Sequence, residues 1–271
     1  MRYRGAFRKE SHAHRGRCAG SRTARDIARP LRGMSLENIV SMKIHGLQKM
    51  TLLDYPGRVA CTVFFGGCNM RCPFCHNAEL LDGTAPAVMD DEELLSFLKK
   101  RQGLLDGVAF TGGEPLLQKD LPELMGKIRD LGYPVKLDTN GTFPDRLDRM
   151  ITDGLVQYVA MDIKNSPERY AETAGLKELD LAPVQESVSL LMEGKTEYEF
   201  RTTVVAELHD DRSFSGIGKW IKGAAHYYLQ KFTDRETVPF EGLHAPADDQ
   251  MRKWAEMLRP DIPAVELRGV D

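Results

Sequence analysis

Three cysteines within eight residues are the chemically most informative feature of this 271-residue chain. Cys68, Cys72 and Cys75 form a C-x3-C-x2-C pattern, short enough to fold around one soft metal centre. A structural zinc site normally takes four nitrogen or sulfur ligands, and neither the adjacent His76 nor a second cysteine pair supplies the fourth. An iron–sulfur cluster held by three cysteines leaves one iron without a protein ligand, where chemistry can occur. A zinc site that borrows a distant histidine is the alternative.

The other two cysteines do not extend this cluster. Cys61 lies in an apolar run and is expected to be a buried core thiol, and Cys18 lies in a basic N-terminal segment. An odd total of five, with three clustered, is not typical of a disulfide framework. The sequence therefore predicts one metal cluster, no auxiliary cluster and a reducing compartment, the cytoplasm.

Charge and hydropathy exclude several classes of protein. The chain has 37 Lys+Arg and 40 Asp+Glu, and its net charge of -3 divides into +8 for residues 1–33 and -11 for the remainder. Such a balance excludes a generally basic nucleic-acid binder. No apolar run approaches the roughly 20 residues that span a bilayer. We therefore expect neither a nucleic-acid nor a membrane partner.

The chain is expected to divide into a basic, disordered extension at 1–42 and one domain at 43–271. The extension has no hydrophobic periodicity and no apolar core of a secretory signal. A translation start placed too far upstream explains it equally well, since Met34 and Met42 both precede the first segment expected to be ordered. An organelle transit peptide and an electrostatic binding arm are further alternatives.

From residue 59 onward, β-rich runs alternate with amphipathic helical patterns. The predicted strands are Val59–Phe65, Gly107–Thr111, Val135–Asp138, Tyr158–Asp162, Tyr198–Val205 and Ala225–Phe232, with a possible extra strand at Ala264–Arg268. Six such units favour a parallel barrel or an open doubly wound sheet. A complete eight-fold barrel takes about 250 residues, so the α/β class with a partial (β/α)6 parallel barrel fits best.

Polar motifs follow four of these strands at the point where each ends. They are Gly66-Gly67-Cys68, Gly112-Gly113-Glu114-Pro115, Asp138-Thr139-Asn140-Gly141 and Asp162-Ile163-Lys164. In parallel α/β architectures, ligands bind at the carboxyl ends of the strands. The four motifs are therefore predicted to share one rim and one site.

Together, the cysteine spacing, the Gly-Gly-Glu-Pro element and the barrel rhythm over roughly residues 43–235 resemble the radical S-adenosylmethionine (SAM) superfamily. The resemblance implies a [4Fe-4S] cluster on Cys68, Cys72 and Cys75, with SAM chelating the fourth iron through its amino and carboxylate groups. One electron from the cluster then cleaves SAM into methionine and a 5′-deoxyadenosyl radical, which abstracts a hydrogen atom. No catalytic side chain beyond cluster and SAM is implied.

The same resemblance implies the SAM contacts. Gly112 and Gly113 would let the backbone approach the methionine end, with Glu114 as a polar anchor, and Phe74 would pack near the adenine. The residues expected around the sulfonium and carboxylate, in some members with a bound monovalent cation, are Asp138, Thr139, Asp162 and Lys164. An ordinary turn, a core aromatic and a solvated ion pair are the structural alternatives. Arg201 either reaches this pocket or forms a core ion pair.

Within that superfamily, the chain resembles the glycyl-radical-enzyme activating enzymes. The resemblance rests on Leu52–Gly57, the Cys75-His76-Asn77 ending and the segments Leu137–Gly141 and Ala160–Lys164. It is strongest to the longer form of anaerobic ribonucleoside-triphosphate reductase activating proteins, with pyruvate formate-lyase activating enzymes as near relatives. The implied reaction abstracts a glycine Cα hydrogen from a partner glycyl-radical enzyme, with a flavodoxin or ferredoxin as electron donor under anaerobic conditions.

Two other functions stay open. One is a radical SAM enzyme acting on a small molecule, as 7-carboxy-7-deazaguanine synthases do, although the Cys-His-Asn ending disfavours that branch. The other is a non-catalytic protein that uses its metal for structure or sensing.

Overall fold

The computed structural model describes residues 2–3 and 41–270. The predicted extension, including Cys18, therefore lies almost wholly outside the described residues. The strands are β1 (Arg2–Tyr3), β2 (Lys43–Ile44), β3 (Gly46–Thr51), β4 (Ala60–Phe65), β5 (Met89–Asp90), β6 (Gly107–Gly112), β7 (Val135–Thr139), β8 (Tyr158–Asp162), β9 (Glu197–Val204), β10 (Tyr227–Lys231), β11 (Phe240–Glu241) and β12 (Val265–Arg268). The α-helices are α1 (Asp91–Lys99), α2 (Leu121–Asp130), α3 (Pro144–Thr152), α4 (Tyr170–Thr173), α5 (Ala182–Met192), α6 (Asp211–Trp220) and α7 (Asp248–Leu258).

One curved sheet organises the chain. Its eight strands lie in the order β3-β4-β6-β7-β8-β9-β10-β12, and every neighbouring pair is parallel except β3 with β4. Since spatial order follows chain order, the right-handed crossovers all fall on one side of the sheet, as in a barrel. β3 and β12 form the two edges, and within the described residues they do not pair with each other. The predicted partial (β/α)6 barrel is confirmed, with β4 and β6 to β10 as its six strands.

The two edge strands, β3 and β12, have weaker sequence patterns than the six central strands. β12 is the possible extra strand of the prediction, pairing with β10. β3 was not predicted, because Gln48, Lys49 and Met50 are exposed on this edge and leave no clear alternation of apolar and polar residues. No helix in the part of the chain that the structure describes is long and apolar enough to cross a bilayer.

Alternate residues of the parallel strands face two different environments. On β7, Val135 and Leu137 are fully buried in the apolar core. Lys136 and Asp138, on the other face, form an ion pair with each other inside the barrel. A strand places successive side chains on opposite faces, so the barrel has an apolar outer layer under its helices and a charged interior.

The helices begin and pack as their sequences predict. The Asp90 carboxylate accepts from the Glu93 N–H (2.9 Å) and the Glu93 carboxylate from the Asp90 N–H (3.0 Å), a reciprocal cap at the start of α1. The apolar residues Leu117, Leu121, Leu124, Met125 and Ile128 recur at helical spacing, and the last four form the buried face of α2. Leu117 lies outside this helix, in a 3₁₀ turn at Pro115–Leu117.

The segment after α4 supports the cysteine loop, which we define as residues 66–77. The carbonyl of Ala174 accepts a hydrogen bond from the Arg71 N–H at 2.9 Å. Gly175 follows with φ at +70°, and a Cβ there would lie 1.9 Å from the Arg71 carbonyl oxygen. Only glycine satisfies both the backbone conformation and the close approach.

Replacing Gly175 by alanine should therefore destabilise the protein more than the same change at Gly154. Gly154 also has a positive φ, at +64°, but nothing lies within 4 Å of its Cβ position. Gly154→Ala is expected to cost about 1–2 kcal/mol for the left-handed conformation. Gly175→Ala should cost clearly more because the backbone at Arg71 must also move. Urea titrations give both free energies of unfolding, and equal losses would contradict the packing role of Gly175.

Candidate metal and cofactor site

A cavity of about 240 Å³ opens at the carboxyl ends of the parallel strands. Ten of the eleven residues predicted for the site line it, and Glu114 does not. The ten are Cys68, Cys72, Phe74, Cys75, Gly112, Gly113, Asp138, Thr139, Asp162 and Lys164. The fold thus brings the four rim motifs together around one space, as predicted from their positions after successive strands.

Backbone contacts fix the start of the cysteine loop against the loop that follows β6. The Gly113 N–H donates to the Phe65 carbonyl at 2.8 Å, and the Glu114 N–H donates to the Gly67 carbonyl at 2.8 Å. A Cβ on Gly112 would lie 2.5 Å from the Phe65 backbone, and one on Gly113 would lie 2.0 Å from the Gly67 oxygen. The two glycines are therefore required for the packing of the two loops, in addition to their predicted role toward a ligand.

Further hydrogen bonds hold the rest of the cysteine loop. The Cys68 N–H donates to the Leu81 carbonyl at 3.0 Å, and the Cys75 N–H donates to the Cys72 carbonyl at 3.1 Å. The exposed Arg71 guanidinium donates to the carbonyls of Cys68 (2.5 Å) and Met70 (2.8 Å). The loop is thus held by its own backbone and by its neighbours.

The three loop thiols have the chemistry of iron–sulfur ligands. Burial raises the pKa of each of them, and raises that of Cys72 to about 12. The Lys164 ammonium acts in the opposite direction on all three. Metal binding needs thiolates, so loading this site must release protons and the nearby cation favours that release.

A zinc site with a borrowed histidine does not fit. Among residues 41–270, no three His, Cys, Asp or Glu side chains are grouped as ligands of a single metal ion. His76 is engaged elsewhere: its Nε2 lies 2.7 Å from the Thr233 carbonyl oxygen and its ring stacks on Phe232. Three thiols around a cavity suit a larger centre that contains several iron atoms.

Glu114 lies behind the cavity wall and is almost fully buried. Its carboxylate accepts from the Leu116 N–H (3.0 Å), the Thr139 hydroxyl (2.9 Å) and the Asn140 N–H (2.7 Å). Burial raises the pKa of Glu114 to about 7, and the three donors oppose that rise. Glu114 therefore ties the loop after β6 to the loop after β7 as an internal anchor.

Five charged side chains form a network beneath the rim, of which Lys136 is buried and the other four are partly buried. Arg201 donates to Asp138 at 3.0 Å and to Asp162 at 2.6 Å. Asp138 also pairs with Lys136, and Asp162 pairs with Lys164 at 2.9 Å. Burial opposes ionisation of both aspartates, but the neighbouring cations outweigh it and lower the pKa of each carboxyl. Three cations face two anions, so the network carries one excess positive charge.

Both interpretations of Arg201 prove correct. It forms partly buried ion pairs inside the barrel and also lines the cavity. Asn140, which belongs to a predicted rim motif, lines the cavity as well, and sequence reasoning missed Thr203 and Gln230. The alternation of Arg201 and Thr203 on β9 is a sequence signal that points to Thr203.

The matched family model decides between the classes of protein that carry such a site. Residues 62–210, more than half of the chain, match the model of the radical SAM superfamily. The chain belongs to the radical SAM superfamily. Radical SAM enzymes use a [4Fe-4S] cluster and SAM, and the three thiols around one cavity fit that use. The non-catalytic alternative is therefore not retained.

Three relatives indicate the branches near this radical SAM protein. A protein of Methanocaldococcus jannaschii, provisionally named as a glycyl-radical enzyme activating enzyme, is 28% identical over 84% of this chain and 96% of its own length. The pyruvate formate-lyase-activating enzyme of Listeria monocytogenes is 28% identical over 83% and 90%. A 7-carboxy-7-deazaguanine synthase of Thermococcus kodakarensis is 29% identical over 64% and 74%.

Solved structures share the fold. A histidine-tagged anSMEcpe with bound AdoMet superposes with a TM-score of 0.57 at 20% identity, covering 74% of this chain and 61% of that chain. At this identity the likeness concerns the fold alone.

Changing Glu114 to glutamine should destabilise the protein. The amide is nearly isosteric, but its NH₂ group would face one of the three donors that the carboxylate now accepts from. An unsatisfied buried donor costs about 1–3 kcal/mol, and urea titration at pH 8 measures the loss. Glu123→Gln is the matched control, because Glu123 forms an exposed pair with Lys127 and such pairs contribute about 0–1 kcal/mol. Equal effects at the two positions would contradict the anchoring role.

Proposed function

We propose that this radical SAM enzyme activates a glycyl-radical enzyme by abstracting a hydrogen atom from a glycine Cα. The observation that carries this proposal is the M. jannaschii relative, which is aligned over 84% of this chain and nearly all of its own length. The Cys75-His76-Asn77 ending supports the same branch. Within it, we propose anaerobic ribonucleoside-triphosphate reductase as the partner.

Cys68, Cys72 and Cys75 would hold the cluster, and the neighbouring rim residues would hold SAM. When bound, the reduced cluster and SAM supply a 5′-deoxyadenosyl radical that removes the glycine hydrogen. Gly112 and Gly113 would present backbone to the amino end of SAM. Phe74, 5% exposed, would bound the adenine side. The polar positions around the sulfonium and carboxylate would be Asp138, Thr139, Asp162 and Lys164.

The charge network prepares this site for a carboxylate. Burial alone would lower the pKa of Lys164, but Asp162 and Cys72 raise it above its ordinary value, so Lys164 stays a cation. Arg201 holds Asp162 in place from the other side. The single excess positive charge of the network would attract the SAM carboxylate. That carboxylate would accept a charge-assisted hydrogen bond from the Lys164 ammonium.

The open side of the barrel would admit the partner. Within residues 41–270, β3 and β12 do not pair with each other, so an extended segment would have a lateral route to the strand ends. A glycine segment suits a narrow cavity because it has no side chain and adopts conformations that other residues rarely adopt. A backbone glycyl radical is also delocalised over its two flanking amides.

The reducing electron would come from a flavodoxin or ferredoxin. Cys68 and Cys75 are only partly buried, so a bound cluster would lie within reach of a docked donor and also of oxygen. We therefore propose anaerobic activity in a reducing cytoplasm.

The similarity to 7-carboxy-7-deazaguanine synthases supports a second candidate, a radical SAM enzyme that acts on a small molecule. The alignment with the T. kodakarensis enzyme covers less of both chains than the alignment with the M. jannaschii protein. The Cys-His-Asn ending also favours the activating branch.

Activation predicts a radical on the partner. The cluster-loaded enzyme, SAM, dithionite and a candidate anaerobic reductase should yield a glycine-centred doublet in electron paramagnetic resonance, together with 5′-deoxyadenosine. A reductase whose radical-site glycine is replaced by alanine is the control and should give no doublet. If 5′-deoxyadenosine forms but no candidate glycyl-radical enzyme gives a doublet, activation is wrong and the small-molecule candidate takes its place.

A further inference from the structure

Three consecutive backbone carbonyls behind the rim are each held by a buried side chain from another element. The Asp162 carbonyl accepts from the Tyr170 hydroxyl at 3.1 Å. The Ile163 carbonyl accepts from the Thr202 hydroxyl at 2.6 Å. The third carbonyl, that of Lys164, lies 2.9 Å from Nε2 of His209. The last backbone bond between β8 and β9 is donated by the Ile163 N–H to the Arg201 carbonyl at 2.8 Å, and the three side chains hold these carbonyls where the chain leaves the sheet.

His209 connects this segment to the end of β9. Its Nδ1 lies 3.1 Å from the Val205 nitrogen and 3.2 Å from the Val205 carbonyl oxygen. In the tautomer with its proton on Nε2, the ring donates to the Lys164 carbonyl and accepts the Val205 N–H, so both nitrogens are satisfied. The ring is 3% exposed and stacks on Phe214. Burial lowers the pKa of His209, which favours this neutral form.

The hydrogen bond from His209 holds the backbone of Lys164, a residue whose side chain lines the cavity. Lys164 turns its backbone toward His209 and its ammonium into the cavity, where it pairs with Asp162 and influences all three thiols. A shift of its carbonyl would redirect the ammonium, because no strand pairing holds the residue at this point.

We propose that His209 is a positioning residue for the SAM site, which acts through the Lys164 backbone and orients the Lys164 ammonium toward the SAM carboxylate. This inference rests on the proposed SAM contact of Lys164. His209 itself does not line the cavity, so it acts without touching SAM.

Two substitutions separate this role from simple support of the fold. His209→Asn keeps an acceptor near the Nδ1 position for the Val205 N–H and removes the donor to Lys164. His209→Gln keeps a donor near the Nε2 position for the Lys164 carbonyl and removes the Nδ1 acceptor. Each variant loses one of the two hydrogen bonds, so both should lose similar thermal stability.

The readout is SAM affinity of the cluster-loaded enzyme, with the cluster left oxidised so that SAM is not cleaved. Anaerobic calorimetry should show SAM binding about tenfold weaker for His209→Asn, the size expected for loss of one hydrogen bond. His209→Gln should remain within about threefold of the wild type. In a Lys164→Met background, His209→Asn should weaken SAM binding no further, because the two residues act in series.

Three results would overturn the role of His209: unchanged affinity in His209→Asn, equal weakening by both substitutions, or additive effects with Lys164→Met. A loaded wild type that binds SAM as tightly as Lys164→Met would instead show that Lys164 does not contact SAM, which removes the proposed contact on which the inference rests.

Discussion

The site depends on one close contact between backbones. The parallel register of β4 and β6 places Phe65 beside Gly112, and the two chains leave the sheet pressed together with no side chain between them. The cysteine loop and the Gly-Gly-Glu-Pro loop therefore occupy fixed positions relative to each other before any ligand binds. Such preorganisation matters because a cluster and its ligand must be held within about 0.5 Å of a productive geometry.

The charged interior is the second condition for the site. Removing two carboxylates and three cations from water is costly, and the cost is offset only because each ion has at least one partner. Taking away one partner would leave a charge in the barrel interior without its partner, which is destabilising. The strands accommodate these charged residues because the side chains at the alternate positions face outward and pack in the apolar layer beneath the helices. The excess of one positive charge is thus maintained by the fold, at the place where an anionic group is expected to bind.

The sequence predicted the elements whose signals are local. Cysteine spacing, motifs at strand ends and helical periodicity each depend on neighbouring residues. They predicted the six barrel strands, and ten of the eleven candidate residues line one cavity. Glu114 was expected as a polar anchor near SAM, but its donors Thr139 and Asn140 come from another strand end and draw it behind the wall. Local patterns do not encode such contacts between distant segments.

The same limit explains other omissions. Lys136 carries no motif, and the register of β7 shows that it faces inward beside Asp138. His209 carries no motif either, and its bond to Lys164 spans 45 positions of sequence. The edge strand β3 has too few buried residues for its sequence to show an alternation of apolar and polar residues.

The central claim is that Cys68, Cys72 and Cys75 hold a [4Fe-4S] cluster whose fourth iron binds SAM in this cavity. Electron–nuclear double resonance on the one-electron-reduced, loaded protein with SAM labelled by ¹⁵N at the amino group tests it directly. Nitrogen coupling to the cluster spin is predicted for the wild type and for Cys61→Ala, because the Cys61 thiol is buried in the apolar core away from the cavity. A reduced cluster with no coupling to the label, or a Cys72→Ala protein that keeps the full coupling, would contradict the account.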